Sequence, residues 1–327
     1  MLTGLHILTT VLLAAGGYSD DQITARQQDH MGTYVSITIA APESDEVLAA
    51  VQAGYAEVER LEKLLSEWRE DSRISEVNRQ AGIKPVPVPP ELYKLVKQAH
   101  DISVQSQGAF DVTHAAMAGL WNYKAKNPKV PGTQAIQERV KLVDYRKLEL
   151  KPEDHSVMLK HKGMRIGLGG IAKGYVMDRV SRVLKEQGYP NHLVIAGGDL
   201  YASGTRGNRK WRIGIRDPKS RGLHAVVEVE DEGVATSGNY EKFFYQDGVR
   251  YHHILDPKTG RPARGTSSLT VIAKSAAEAD AYATALFVLG GQKALDLAGK
   301  KGLEVFLFDE SFKTAGTPGM LSRVKKK

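Results

Sequence analysis

The sequence contains no cysteine. That excludes disulfide-stapled scaffolds, cysteine-ligated zinc, iron–sulfur clusters and thiol nucleophiles together. Any chemistry therefore runs on oxygen, nitrogen or a borrowed cofactor. None of the ten histidines falls in an H-E-x-x-H motif or in a carboxylate-supported pair at helical spacing, which argues against a zinc hydrolase. The mostly apolar stretch Ile7 to Ala15 is well short of the roughly 20 residues that a membrane-spanning helix needs. Charge is nearly balanced, with 45 Lys+Arg against 38 Asp+Glu, a net of +7. The basic residues are scattered apart from the closing Lys325, Lys326 and Lys327, so there is no concentrated nucleic-acid footprint and no nucleic-acid partner is expected. Neither an internal repeat nor a low-complexity tract is present.

What is there describes a globular chain. Of 327 residues, 42% are hydrophobic and 25% charged, a composition that rules out general disorder and leaves room for substantial cores. Leu2 to Gly17 carries the apolar stretch followed by Gly16 and Gly17, which reads as the h-region and small-residue cleavage site of a secretory signal, although no Lys or Arg precedes Arg26. The expectation is a signal peptide over residues 1–17, a mature chain over 18–327, export to a periplasmic space, and no lipid anchor, because no cysteine follows the leader. The length suits one large domain or two interleaved subdomains.

Periodicity then sets the elements. Tyr34 to Ala40 alternates Val35, Ile37 and Ile39 with polar or small residues, the period of a half-buried strand. Ser44 and Asp45 can cap a long helix in which Val51, Tyr55, Val58, Leu61, Leu65 and Trp68 recur every three or four residues as a core face. Glu70 to Arg79 reads as a loop or short helix. A second helix starts near Pro90, turns Leu92, Leu95, Val96, Ala99 and Ile102 inward and stops at Gly108. Asn122 to Gly132, broken by Pro128 and Pro131, is an exposed excursion. Strands are expected around Lys147 to Leu150, Val157 to Lys160 and Met164 to Leu168, and a third helix over Ile171 to Gly188. Further strands follow at His192 to Ile195, Trp211 to Arg216, Ala225 to Glu230, Leu269 to Ala273 and Glu304 to Phe308. Helices alternate irregularly with strands, so the class is α+β, with mixed sheets and packed helices.

Three motifs carry chemistry. Gly167-Leu168-Gly169-Gly170-Ile171-Ala172 follows an apolar strand and opens a helix. It formally satisfies a dinucleotide fingerprint, but Glu186 falls in the helix's last turns rather than at the end of a second strand. What survives is a glycine turn, a helix N-terminus and Lys173, which together suit a phosphate-bearing ligand; the plain alternative is close helix–sheet packing. His252-His253 precedes Asp256-Pro257-Lys258-Thr259-Gly260, where Asp256 can simply hold turn amides and His253 is either a core histidine or a base suited to neutral pH. Asp280 and Thr284 stand four apart on one face of an Ala-rich helix. A carboxylate in such surroundings is costly unless something binds it, and a hard cation such as Mg²⁺, completed by substrate phosphates and water, suits such ligands. Otherwise Asp280 caps a neighbouring loop and Thr284 bonds back to its own helix.

Taken together these blocks resemble the ApbE-type FAD:protein FMN transferases over nearly the whole mature chain: MGTYVSI, LLSEWREDSRISEVN, GAFDVTHAAMAGLW, LGGIAKGYVMDRV, AGGDLYASG, WRIGIRDP, VATSGNYEKFF, HHILDPKTGRP and EADAYATALFVLG. The resemblance implies an ApbE-like, T-fold-related α+β architecture. It implies an enzyme that uses Mg²⁺ to transfer FMN from FAD to a threonine of an acceptor protein through a phosphoester bond, releasing AMP. The acceptors it implies are flavoprotein subunits of membrane redox complexes or related exported flavoproteins. Carried over by position, Met31, Trp68, Ala109, Phe110, Asp111, Lys173 and Ile254 become the flavin-nucleotide contacts. The metal positions become Gly170 (through its carbonyl), Asp280 and Thr284. His253 is the candidate base, with Asp256 orienting it and Asp280 serving catalysis through the metal. There are two departures. Gly167 stands where many relatives carry an aspartate, so one ligand hydrogen bond is missing or supplied elsewhere, and Ala283 stands where some have a second aspartate. The alternatives are an Mg²⁺-dependent FAD pyrophosphatase giving FMN and AMP, and a periplasmic FAD-binding protein without turnover.

Overall fold

The structure is a computed structural model that describes residues 23–326. The leader expected over residues 1–17 lies outside the described residues. The centre is an eight-stranded sheet whose strands lie side by side in chain order: Thr24–His30, Thr33–Ile39, His192–Ala196, Asp199–Ser203, Glu232–Gly238, Thr266–Ala273, Glu304–Asp309 and Thr314–Gly316. Every neighbouring pair is antiparallel. The class is α+β, as the irregular alternation of elements predicts.

Alternation along each strand sends side chains to two cores. Val194 and Ala196 of one strand, and Leu269 and Val271 of another, join a large core formed with the helices. Leu193, Ile195 and Ile272 point the other way, onto Trp211, Ile213 and Ile215 and onto Ala225, Val227 and Val229. These belong to a three-stranded sheet of Trp211–Arg216, Leu223–Val229 and Lys325–Lys326. Strands covered on both faces read as continuous apolar runs, which is why His192 to Ile195 was legible as a strand without polar alternation.

The helical layer comprises Asp45–Leu65, Ala172–Glu186 and Ala276–Leu289, which pack on one another. Ser44 starts the first, its hydroxyl accepting from the Val47 amide at 3.3 Å, with Asp45 and Glu46 in the first turn. Ser275 starts the last by accepting from Glu278 at 3.2 Å. Pro90 stands at the first turn of Pro90–Gln105.

Two expectations need correction. The first helix ends at Leu65, so Val51, Tyr55, Val58, Leu61 and Leu65 are buried while Trp68, beyond the cap, is 76% exposed. Met164 to Leu168 forms no strand. The side-chain amide of Asn78 accepts from Ile166 N at 2.7 Å and donates to Ile166 O at 3.0 Å, replacing a ladder partner with a single residue. The excursion over Asn122 to Gly132 has no helix or strand, yet its start is anchored. Trp121 and Tyr123 join Phe244 and Tyr251 of the hairpin Phe243–Gln246/Val249–His252 in an aromatic cluster.

Candidate active site

The site grows out of a close helix crossing. A Cβ at Gly174 would run into the Ala276 carbonyl, so only glycine lets Ala172–Glu186 approach the start of Ala276–Leu289. The two helices then cap each other. Asp178 accepts from Ala276 N at 2.7 Å and Ala277 N at 3.0 Å, while Asp280 Oδ2 accepts from Gly174 N at 3.1 Å. Burial pushes Asp178 up to about 6, against the pull of those two amides.

Asp280 faces a second partner. Lys173 Nζ lies 3.4 Å from Asp280 Oδ1 and bonds closely to Asp199 Oδ2, whose other oxygen accepts from Thr236 N at 3.0 Å. Asp199 comes from the central sheet, so sheet and both helices meet at one ammonium. Burial opposes the charge on Lys173, but the two carboxylates outweigh it and hold it protonated. Burial pushes Asp280 up to about 6 in spite of Lys173. One turn along, Thr284 Oγ1 would lie 3.6 Å from a Cβ at Gly170, and Phe110 Cε2 3.0 Å from it. Gly170, Phe110 and Thr284 thus share one spot, one helical turn from Asp280.

The remaining sequence-predicted contacts divide by role. Trp68 presents an exposed ring, whereas Phe110 is 3% exposed and lies against Gly170. Ala109 and Ile254 are buried. Asp111 is buried and spends its oxygens on the protein: Thr113 N at 2.8 Å, Thr113 Oγ1 at 2.6 Å and Tyr145 N at 3.1 Å. Burial raises its pKa, and those bonds oppose the rise. Met31 occupies the tight turn between the first two strands with φ +55°, a left-handed conformation uncommon outside glycine, and its amide donates to Glu62 Oε1 at 3.0 Å.

His253 is partly buried, and its Nδ1 lies 3.3 Å from the Lys242 carbonyl. A carbonyl only accepts, so Nδ1 carries the proton and Nε2 keeps its lone pair. Burial, with Lys242, His252 and Lys173 nearby, pushes its pKa down to about 4, below the near-neutral value the sequence suggests. His252 is a core residue: it is 2% exposed, its Nε2 lies 2.9 Å from Ala263 O, and its ring meets Phe287 edge-on. Asp256 serves its own turn, accepting from Lys258 N at 2.9 Å, and does not hold His253.

A sequence profile of the ApbE family matches residues 31–307, most of the chain and all the residues just described. The chain belongs to the ApbE family. The FAD:protein FMN transferase of Treponema pallidum is 34% identical, the match covering 95% of this chain and 91% of that protein. The FAD:protein FMN transferase of Escherichia coli K12 is 29% identical over 91% of this chain and 88% of its own length. Among solved structures, the ApbE protein of Thermotoga maritima superposes with a TM-score of 0.85 at 32% identity, covering 93% of this chain and all of that one. The Vibrio cholerae flavin transferase ApbE gives 0.83 at 28% identity, covering 92% of this chain and 99% of its own.

In this ApbE-family chain, sequence reasoning missed two carboxyl groups that the fold brings to the site. Asp199 follows Gly197 and Gly198 after an apolar strand, and a buried acid at such a turn was the available signal. Glu67, beside Trp68, gave no signal at all, because only the tertiary structure sets it against Gly167.

Proposed function

We propose that the protein transfers the FMN half of FAD to a threonine hydroxyl of an acceptor protein with the help of Mg²⁺, releasing AMP. The observation that carries this reading is the cluster of Lys173 between Asp199 and Asp280, adjoining Gly170 and Thr284 at the head of a helix. A cation and a helix N-terminus favour phosphate there. The donors on offer to a metal are all oxygen: the Asp280 carboxylate, the Gly170 carbonyl and the Thr284 hydroxyl, which makes no hydrogen bond among the described residues. Such a set fits Mg²⁺ with water and substrate phosphate completing its shell. When bound, the ion supplies Lewis-acid stabilisation of charge on the phosphate oxygens.

The protein's own groups divide the remaining work. Trp68 stacks on a flat ring of the ligand, Lys173 offers its ammonium to phosphate, and Asp199 keeps that ammonium in place. His253, neutral above about pH 4, takes the acceptor proton at Nε2. The threonine oxygen forms a bond to the FMN phosphorus, the bond to the bridging oxygen breaks, and AMP leaves with that oxygen. The acceptor is a flavoprotein subunit of a membrane redox complex or a related exported flavoprotein, met after export to the periplasm. The names of the relatives support the transfer reaction. Incubating the protein with FAD, Mg²⁺ and an acceptor, followed by mass spectrometry of protein and nucleotide, tests it. Acceptor mass increased by FMN with AMP released is the expected result. FMN and AMP without modified acceptor would mean hydrolysis, and intact FAD would mean binding alone.

A further inference from the structure

Gly167 sits in a cradle with no spare room. A Cβ there would lie 2.5 Å from Glu67 Oε2, 2.7 Å from the Ala115 Cβ and 3.1 Å from His114 Cε1. The space a side chain at 167 would take is therefore filled by a carboxyl from another part of the chain. Both walls are fixed. Asn78 clamps Ile166, Gly167 N donates to Val112 O at 2.9 Å, and Ser75 Oγ donates to Glu67 O at 3.3 Å.

Glu67 Oε2 is wholly buried and has no hydrogen-bond partner among the described residues, and Arg165 Nε has none either. Burial raises the pKa of Glu67, with His114, the Leu168 amide and Arg165 opposing. Native structures rarely leave a buried acceptor unpaired, so an orphan at the rim of a ligand site asks for a donor that arrives with the ligand. Its surroundings place it at that rim. Trp68, the next residue, carries the exposed ring, and Gly167 begins the turn that delivers Gly170 to Phe110 and Thr284.

We infer that Glu67 is a substrate-positioning residue of this site, its carboxyl filling the cradle left by Gly167 and accepting a hydrogen bond from an N–H group of FAD. The inference rests on the proposed FAD-dependent function. The acid that the family resemblance places at 167 is here supplied from position 67. FAD offers two suitable donors, the adenine amino group and the imide N–H of the flavin ring, and a carboxyl accepts from either.

A swap experiment tests it, with FAD, FMN and AMP affinities measured by fluorescence quenching or calorimetry and folding checked by thermal melting. Glu67→Ala should weaken FAD binding about tenfold, the usual effect of one lost hydrogen bond to a charged or strongly polar group, while Glu67→Gln loses less. Gly167→Asp alone should bind FAD at least as poorly, because its side chain meets Glu67. The triple variant Glu67→Ala/Ala115→Gly/Gly167→Asp, which also clears the Ala115 Cβ from the cradle, should recover to within about threefold of native, one hydrogen bond being restored. A loss shared with AMP but not FMN puts the donor on adenine, and the reverse puts it on the flavin; either supports the assignment. Equal loss for both halves, an indifferent Glu67→Ala, or a triple variant no better than Glu67→Ala in protein that melts normally overturns it. A native protein that binds no FAD overturns the functional reading itself, whereas native binding with an indifferent Glu67 overturns this inference alone.

Discussion

Asp280→Asn separates the two duties of that residue. The amide oxygen can still accept from Gly174 N, so the cap on Ala172–Glu186 survives, while the charge facing Lys173 is gone. Burial has pushed the Asp280 pKa up from 3.8 to about 6, so keeping it ionised at pH 7 costs the fold ~3 kcal/mol at about 1.4 kcal/mol per pH unit. A folded-state pKa above the unfolded one means the native protein binds the extra proton between those values, so the cost grows as pH rises through this window and is complete above it. The asparagine variant should therefore melt at or above the native temperature at pH 7. Its advantage, at most ~3 kcal/mol, should fade as pH falls from 6 toward 4 and native Asp280 becomes neutral. Turnover with FAD and Mg²⁺ should meanwhile drop by roughly 10²–10³-fold, the scale for losing a preorganised charge at a reacting centre. Asp280→Ala should be about 0.5–2 kcal/mol less stable than the asparagine variant, because the cap goes too. Melting of Asp280→Asn well below native at pH 7 would refute the argument, since the charge would then be holding the fold together; so would turnover within tenfold of native.

Trp68→Ala should weaken FAD affinity by about 1–3 kcal/mol, the range for a lost stacking ring, with melting unchanged because the ring is 76% exposed; a lower melting temperature with intact affinity would return Trp68 to a structural role. His253→Ala should slow FMN transfer by roughly 10²–10⁴-fold with FAD affinity intact. The acid limb of the native rate should lie near the depressed value of about 4 rather than at that of free imidazole, and should vanish in the variant. His252→Ala should instead cost about 1–3 kcal/mol of stability, by leaving Ala263 O without its buried donor, with turnover per folded molecule preserved; a reversal of the two phenotypes would exchange their roles. His192, fully buried between Tyr189 O and Ser181 Oγ, is pushed down to about 4, so the unfolded chain binds its proton first and stability is lost as pH falls from 6.5 to 4. Over that window native protein should lose ~3 kcal/mol more than His192→Gln, and parallel denaturant curves for the two would show the ring is not kept neutral.

By itself the sequence determined what depends on neighbours in the chain. The Ser44 cap and the three-to-four spacing of Val51 to Leu65 specify a helix with one apolar face, and the alternation of Val35, Ile37 and Ile39 specifies a strand. Asp280 stood out as an acid in apolar company. Tertiary structure decided what these residues meet. A glycine at 174 matters because Ala276 passes against it, and Asp280 is tolerable because Gly174 N and Lys173 face it from another helix. The stripe that ran on to Trp68 in sequence broke in the structure because helix geometry stops at Leu65, so a residue of the core by periodicity became an exposed ring. His252 and His253 are equivalent by type and adjacent in sequence; only packing made one a buried partner of Ala263 and left the other a free nitrogen. Glu67 against Gly167 is the extreme case. Local rules act over a few residues, whereas burial, charge pairing and steric exclusion act between segments that only the folded chain brings together.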